Sequence, residues 1–188
     1  MRGRVLKVPR GDAVRPTQDM VRQALFSSLA ERIPGCRFLD LFAGSGAVGL
    51  EAWSRGAAQV CWVETDPQTF SVLEGNIRTL CGSEAGRTSD QEWRCVQSDA
   101  LRFLGGLRQV EPYDIVFADP PYDRQGTRRW AMRLLEELMT GEIVAEDGFF
   151  VMEQAQEEVE SVHPAWRVVT TRVYGGTRLT LYRKGATA

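Results

Sequence analysis

Three apolar runs in this chain end in, or enclose, an acid. LDLFAGSGAVG (Leu39 to Gly49) carries Asp40 inside the run and then Gly44, Gly46 and Gly49 in G-x-G-x-x-G spacing. QVCWVE ends at Glu64, and YDIVFA is followed by Asp119, Pro120, Pro121 and Tyr122. Gly44 and Gly46 let the chain turn tightly and bring backbone close to a ligand. Gly49 lets the following helix pack closely on the sheet. An acid closing the next strand, as Glu64 does, is placed to accept from both hydroxyls of a ribose. The two prolines stiffen a turn and remove two N–H donors, so the carbonyls of Asp119 and Pro120 join the Asp119 carboxylate as acceptors. A planar amine suits that cluster, and Tyr122 offers a ring on which a base can stack.

Two cofactors are compatible with the glycine turn and the ribose acid: a nicotinamide dinucleotide or S-adenosylmethionine. A dinucleotide brings a pyrophosphate, which favours backbone N–H groups and a helix N-terminus and is repelled by a carboxylate. S-adenosylmethionine brings an ammonium and a sulfonium, for which Asp40 and Asp99 are useful partners. Asp40 lies between Leu39 and Leu41, so burial is expected, and a buried carboxylate needs donors from the glycine turn or a cationic ligand. The second cofactor fits better. A dinucleotide enzyme would leave Asp40 and DPPY without a role.

The elements that must position these groups alternate. Residues 1–16 read as a basic arm and 17–33 as a helix that Thr17 caps and Pro34-Gly35 stops. Strands are expected over 37–42, 59–64, 93–97, 113–118 and 149–153. Helices are expected over 47–54, 67–80, 100–104 and 127–139. Alternation of this kind gives a parallel sheet with helices on both faces. Residues 167–174 and 179–183 then form a hairpin across Gly175-Gly176-Thr177, so the sheet should finish in an antiparallel pair. One domain over 1–188 is expected, with its core at 37–184.

Of 188 residues, 43% are hydrophobic and 26% charged, the balance of a soluble globular chain. The apolar runs are too short to span a membrane, and the first residues lack the apolar stretch of a signal peptide. We therefore expect a cytoplasmic protein with no membrane partner. Four cysteines without paired spacing read as free thiols, and with a single histidine no metal site is expected. His163 reads as a surface residue. The net charge of −2 hides an asymmetry. Arg2, Arg4, Lys7, Arg10 and Arg15 against Asp12 give the arm +4, leaving −6 for the rest. A basic arm on an acidic body points to an anion such as nucleic acid.

Together these residues resemble class I S-adenosylmethionine-dependent methyltransferases that modify exocyclic amines of bases. More narrowly, the chain is similar to the bacterial 16S ribosomal RNA guanine-N2 methyltransferase D family. The resemblance rests on GRVLKVP (Gly3–Pro9), RPTQDMVRQALFSSL (Arg15–Leu29), LDLFAGSGAVGLEAWSRGA (Leu39–Ala57), VETD (Val63–Asp66), DIVFADPPY (Asp114–Tyr122) and YGGTRLTLYRK (Tyr174–Lys184). It implies a Rossmann-like α/β fold with a seven-stranded, mostly parallel sheet and an antiparallel last strand. It also implies a monomer acting on one guanine of the assembled or assembling small ribosomal subunit. Members usually begin with a further short strand before the Gly3-Arg4 position and commonly carry a basic residue where this chain has Met20.

On this reading the catalytic residues are Asp119, Pro120 and Tyr122. The cofactor contacts are Asp40, Phe42, Ala43, Gly44, Ser45, Gly46, Glu64, Asp99 and Ala100. Pro121, Arg4, Lys7, Arg10, Arg15, Arg22 and Arg124 are expected to meet the RNA, with Arg128 and Arg129 as further phosphate clamps, although Arg22 has the alternative of pairing with a nearby acid. Adenine N6 in RNA or DNA and a glutamine amide present the same planar amine, so DPPY alone does not separate them from guanine N2. A nicotinamide-dependent oxidoreductase and a non-catalytic RNA-binding protein are the readings from other classes.

Overall fold

The computed structural model describes Lys7 and residues 16–82, 91–107, 111–123, 127–140, 142–159 and 161–185. In chain order they form α1 (Pro16–Ser28), a short 3-10 turn (Ala30–Arg32), β1 (Arg37–Leu41), α2 (Ala47–Ser54), β2 (Gln59–Glu64), α3 (Pro67–Cys81) and β3 (Glu92–Gln97). Then follow α4 (Ala100–Gly106), β4 (Tyr113–Ala118), α5 (Trp130–Thr140), β5 (Val144–Ala155), β6 (Trp166–Tyr174) and β7 (Thr177–Lys184). The strands make one seven-stranded sheet in the order β3-β2-β1-β4-β5-β7-β6. Neighbours are parallel from β3 to β5, and β7 runs antiparallel to both β5 and β6. The order reverses between β1 and β4, the crevice where open α/β sheets take their ligands.

Strand side chains alternate between two hydrophobic layers. Phe38, Val60, Trp62, Ile115, Phe117 and Val151 join the layer built with α1, α2 and α3. Leu39, Leu41, Cys61, Val63, Val116, Ala118, Phe150 and Met152 join the layer built with α4 and α5. A strand buried on both faces reads as a continuous apolar run, which is why these segments stand out in the sequence.

Most element ends fall within two residues of expectation, and three elements depart further. The first helix begins at Pro16, so Thr17 lies inside its first turn, and its α-helical part stops at Ser28 before the 3-10 turn. Proline suits that first turn because its missing N–H has no intrahelical partner there. α5 starts at Trp130 and not at Thr127, because the Asp123 carboxylate captures the N–H groups of Thr127, Arg128 and Arg129. β5 begins at Val144, five residues early, and its pairing with β4 shifts register between Tyr113 and Ile115. Gly148 sits at that irregularity, where an added Cβ would lie 2.9 Å from the Asp114 carbonyl oxygen. The four cysteines are free, and among the described residues no helix is long and apolar enough to cross a membrane.

Candidate functional site

Strand parity brings the acids together. Asp40 follows Phe38, Glu64 follows Trp62, Asp119 follows Phe117 and Glu153 follows Val151, and each of those partners belongs to the α1–α2–α3 layer. By alternation all four carboxyls point to that same face at the carboxyl edge of the sheet. Asp40 pairs in register with Trp62 on one side and Phe117 on the other.

Two of these acids are held by backbone donors. Asp40 is 1% exposed, and its Oδ2 accepts from Gly49 N at 2.8 Å. Glu64 accepts from Gly44 N at 2.9 Å and from Thr65 N and Asp66 N, both at 2.8 Å. Glu64 therefore ties the glycine turn to β2. A carboxylate has about four acceptor directions, so one remains for a further donor. Burial pushes the Asp40 carboxyl up to about 8; the Gly49 N–H opposes this, and the charges of Asp119 and Glu64 add to it. Asp119 and Glu153 are also raised, Asp119 by burial and Glu153 by burial and then by Asp119.

The glycine turn is built around Trp62. Its indole N–H donates to the Gly46 carbonyl at 3.3 Å, and a Cβ on Gly49 would lie 2.2 Å from Trp62 Nε1. Gly44 and Gly46 have φ of +55° and +87°. A Cβ added at Gly44 would meet nothing within 4 Å, so open space adjoins that backbone. Phe42 also has positive φ, +60°, and its ring meets Trp130 edge-on at 5.2 Å. For a bulky residue that conformation is strained, and such strain gathers at binding sites. Ala43 donates its N–H to Val63 O and accepts from Gly46 N.

Asn76 was not singled out from the sequence. It is 4% exposed and makes three hydrogen bonds: Oδ1 accepts from Lys7 N, while Nδ2 donates to Lys7 O and to Ser45 O, at 3.1, 2.9 and 2.9 Å. It bridges the basic arm and the glycine turn. Replacing Asn76 by Ala strands three backbone groups; we expect a loss of about 1–3 kcal/mol, read as a shift in the urea midpoint at unchanged slope.

Tyr122 is 44% exposed, Pro121 is exposed and Pro120 is buried. Burial raises the Asp123 carboxyl, but the N–H groups of Arg129, Arg128 and Thr127 outweigh it and hold the group below the usual carboxylate range. Asp123 thus holds the backbone of Thr127, Arg128 and Arg129, and a depression beside them is lined by Arg128, Arg129 and Arg133 together with Glu136. Asp99 caps α4 by accepting from Arg102 N at 3.0 Å, with Ala100 buried behind it. Arg22 takes the alternative partner, Asp19, at 2.7 Å. His163 is partly exposed, and its Nδ1 accepts from Ala165 N. Lys7 is exposed, while Arg4, Arg10, Arg15 and Arg124 lie outside the described residues.

A family model described as Conserved hypothetical protein 95 matches residues 1–183. Over 185 residues the chain is 37% identical to ribosomal RNA small subunit methyltransferase D of Escherichia coli K12, covering 98% of this chain and 87% of that protein. The chain belongs to this methyltransferase D family. The solved structure of Escherichia coli yhhF matches with TM-score 0.80 and 35% identity, covering 99% of this chain and 94% of the other. Magnesium protoporphyrin IX methyltransferase of Synechocystis, solved with bound SAH, matches at TM-score 0.66 and 11% identity over 93% of this chain and 90% of its own. That last likeness is one of fold, the Rossmann-like class I methyltransferase fold.

The methyl donor of the family is S-adenosylmethionine, and the residues present suit it. Open space adjoins the Gly44 backbone, whose N–H donates to Glu64, and the charges of Asp119 and Glu64 are felt at the buried Asp40. A sulfonium and an ammonium lower the cost of ionising buried acids, whereas a pyrophosphate would raise it.

Proposed function

We propose that this protein transfers a methyl group from S-adenosylmethionine to the exocyclic N2 amine of a guanine in 16S ribosomal RNA, acting as a cytoplasmic monomer on the small subunit during or after its assembly. The observation that carries the acceptor chemistry is Asp119, raised in pKa by burial at the strand edge and followed directly by the exposed Tyr122 ring. The Escherichia coli relative's name supports the ribosomal RNA substrate.

When bound, the donor supplies a methyl activated by the positive sulfonium. The chain's part is to seat it and the amine in line. Asp40 and Glu64 give the donor's side of the crevice its negative field, with Phe42, Ala43, Gly44, Ser45 and Gly46 forming the floor. Asp99 and Ala100 border it from α4. The target base leaves its stack to reach the edge of the sheet, and Tyr122 and Pro121 hold its faces. The Asp119 carboxylate and the Pro120 carbonyl accept the two amine hydrogens. That arrangement keeps the nitrogen lone pair from delocalising into the ring and offsets charge developing on nitrogen. As the N2–methyl bond forms and the sulfur–methyl bond breaks to leave a neutral thioether, the surplus proton on N2 passes to Asp119 and then to water. Lys7, Arg128, Arg129 and Arg133 border the approach as phosphate contacts, with Arg4, Arg10, Arg15 and Arg124 as further candidates.

The deciding experiment offers labelled S-adenosylmethionine to unmodified small subunits, free ribosomal RNA and DNA, and maps the labelled base. Label on guanine N2 of the small-subunit RNA is the expected result. Label on adenine, or on DNA alone, overturns the assignment.

Cofactor affinity should depend on pH with a definite sign. The Asp40 carboxyl is raised above its unfolded value, so its contribution to stability is full below about pH 4 and is lost as pH rises through about 8. A cationic donor favours the ionised form. Binding should expel a proton, and affinity should rise between pH 6 and 8 by at most about tenfold per unit. Calorimetry in two buffers of different ionisation enthalpy measures the proton count; proton uptake would contradict the role given to Asp40.

A further inference from the structure

Glu153 shares the site's edge, yet nothing in the cofactor or amine chemistry above uses it. It lies one residue beyond the last rung pairing β4 with β5, Ala118 with Met152, just as Asp119 does on its own strand. Alternation turns both side chains to the same face, and the charge of Asp119 is felt at Glu153. Glu153 is 8% exposed. On its far side the register neighbour is Leu179 of β7, which offers no donor.

The other acids here are engaged. Asp40 accepts from Gly49, Glu64 from Gly44, Thr65 and Asp66, Asp99 from Arg102, and Asp123 from three successive residues. Among the described residues no hydrogen bond reaches the carboxyl of Asp119 or of Glu153. Two adjacent, mostly buried carboxyls that no described donor reaches are costly to the fold unless solvent or a ligand supplies the donors. They make sense as acceptors for a ligand that brings two adjacent N–H groups.

We propose that Glu153 is a second base-reading carboxylate, accepting the ring N1–H of guanine while Asp119 accepts the neighbouring amine, and that it selects guanine over adenine. This rests on the guanine reading given above and names the group that enforces it. The pairing edge of guanine carries N1–H beside the N2 amine. Adenine carries its amine beside a bare N1, an acceptor. Once ionised, Glu153 opposite that nitrogen sets acceptor against acceptor; burial and the charge of Asp119 push its carboxyl up to about 8, so the discrimination should sharpen as pH rises through that value. A site built to bond a donor rejects an analogue lacking it far more strongly than an apolar pocket rejects a change in size. Glu153 touches the substrate on this account but not the atoms that exchange the methyl.

The test uses Glu153→Gln and Glu153→Ala in the full chain. It measures labelled methyl transfer to small subunits bearing guanine, or adenine by substitution, at the mapped acceptor position. Removing a buried acid that no described donor reaches should leave Tm equal or higher, and donor Kd within about twofold, while kcat/KM on guanine falls about 10²-fold. The amide of Glu153→Gln can offer an N–H to adenine N1, so the guanine-to-adenine ratio should narrow. A lower Tm with unchanged kcat/KM, an unchanged ratio, or failure of both variants to fold would each overturn the role of Glu153. If the unaltered protein labels no guanine, the acceptor assignment itself falls; if it labels guanine and the ratio holds in the variants, only the Glu153 inference falls.

Discussion

Asp119→Ala should lower kcat for methyl transfer to small subunits by about 10²–10³, the usual loss when a group that stabilises developing charge is removed. Donor binding should change little, because the glycine turn is tied by Glu64 and Asp40. The variant should also be no less stable than the parent, since burial raises this carboxyl and no described donor bonds to it. That combination separates a catalytic group from a structural one: a structural acid, once removed, costs stability first. Single-turnover measurement with saturating donor reads the chemical step directly. Unchanged turnover would remove Asp119 from the mechanism.

Gly49→Ala should have the largest effect on the fold. The added methyl would fall 2.2 Å from Trp62 Nε1 and 2.6 Å from Trp62 Cε2. Trp62 is fully buried in the layer beneath α2 and holds the Gly46 carbonyl. The ring has no free space to yield into, so α2 must lift, and the Gly49 N–H that serves Asp40 lifts with it. Overpacking of this kind costs about 1–3 kcal/mol and occasionally more; here the coupled loss places the expectation near 3. For a chain of this length that is a fall of about 6–12 °C in Tm, with donor affinity reduced in parallel. A variant that keeps Tm within a degree would mean that the helix–strand contact is softer than its geometry implies.

Much of the site could be read in the sequence because each acid terminates or interrupts an apolar run, and burial on both faces makes such runs visible. Asp40, Glu64 and Asp119 were found that way. Glu153 ends FFVME by the same pattern, but no motif follows it to mark it as part of the site. Asn76 gave no such signal: a polar residue in an amphipathic helix looks like any surface position, and only the approach of Lys7 and Ser45 gives it work. The start of α5 was misplaced because side-chain capture of backbone N–H groups by Asp123 competes with helix formation, as Asp does near helix starts. The strand order, with β7 between β5 and β6, is a tertiary arrangement that period and turn chemistry do not specify beyond the hairpin itself.

The place of β7 has a consequence for biosynthesis. The last described strand is an interior one, and α1, the first described helix, lies against it and β6. The emerging polypeptide cannot complete its sheet until residues 177–184 have left the exit tunnel. Pairings this distant in sequence slow folding, and until they form, the open edge of β5 is a surface on which other chains can add. An early stop codon anywhere in the final hairpin should therefore yield aggregate in place of a trimmed enzyme.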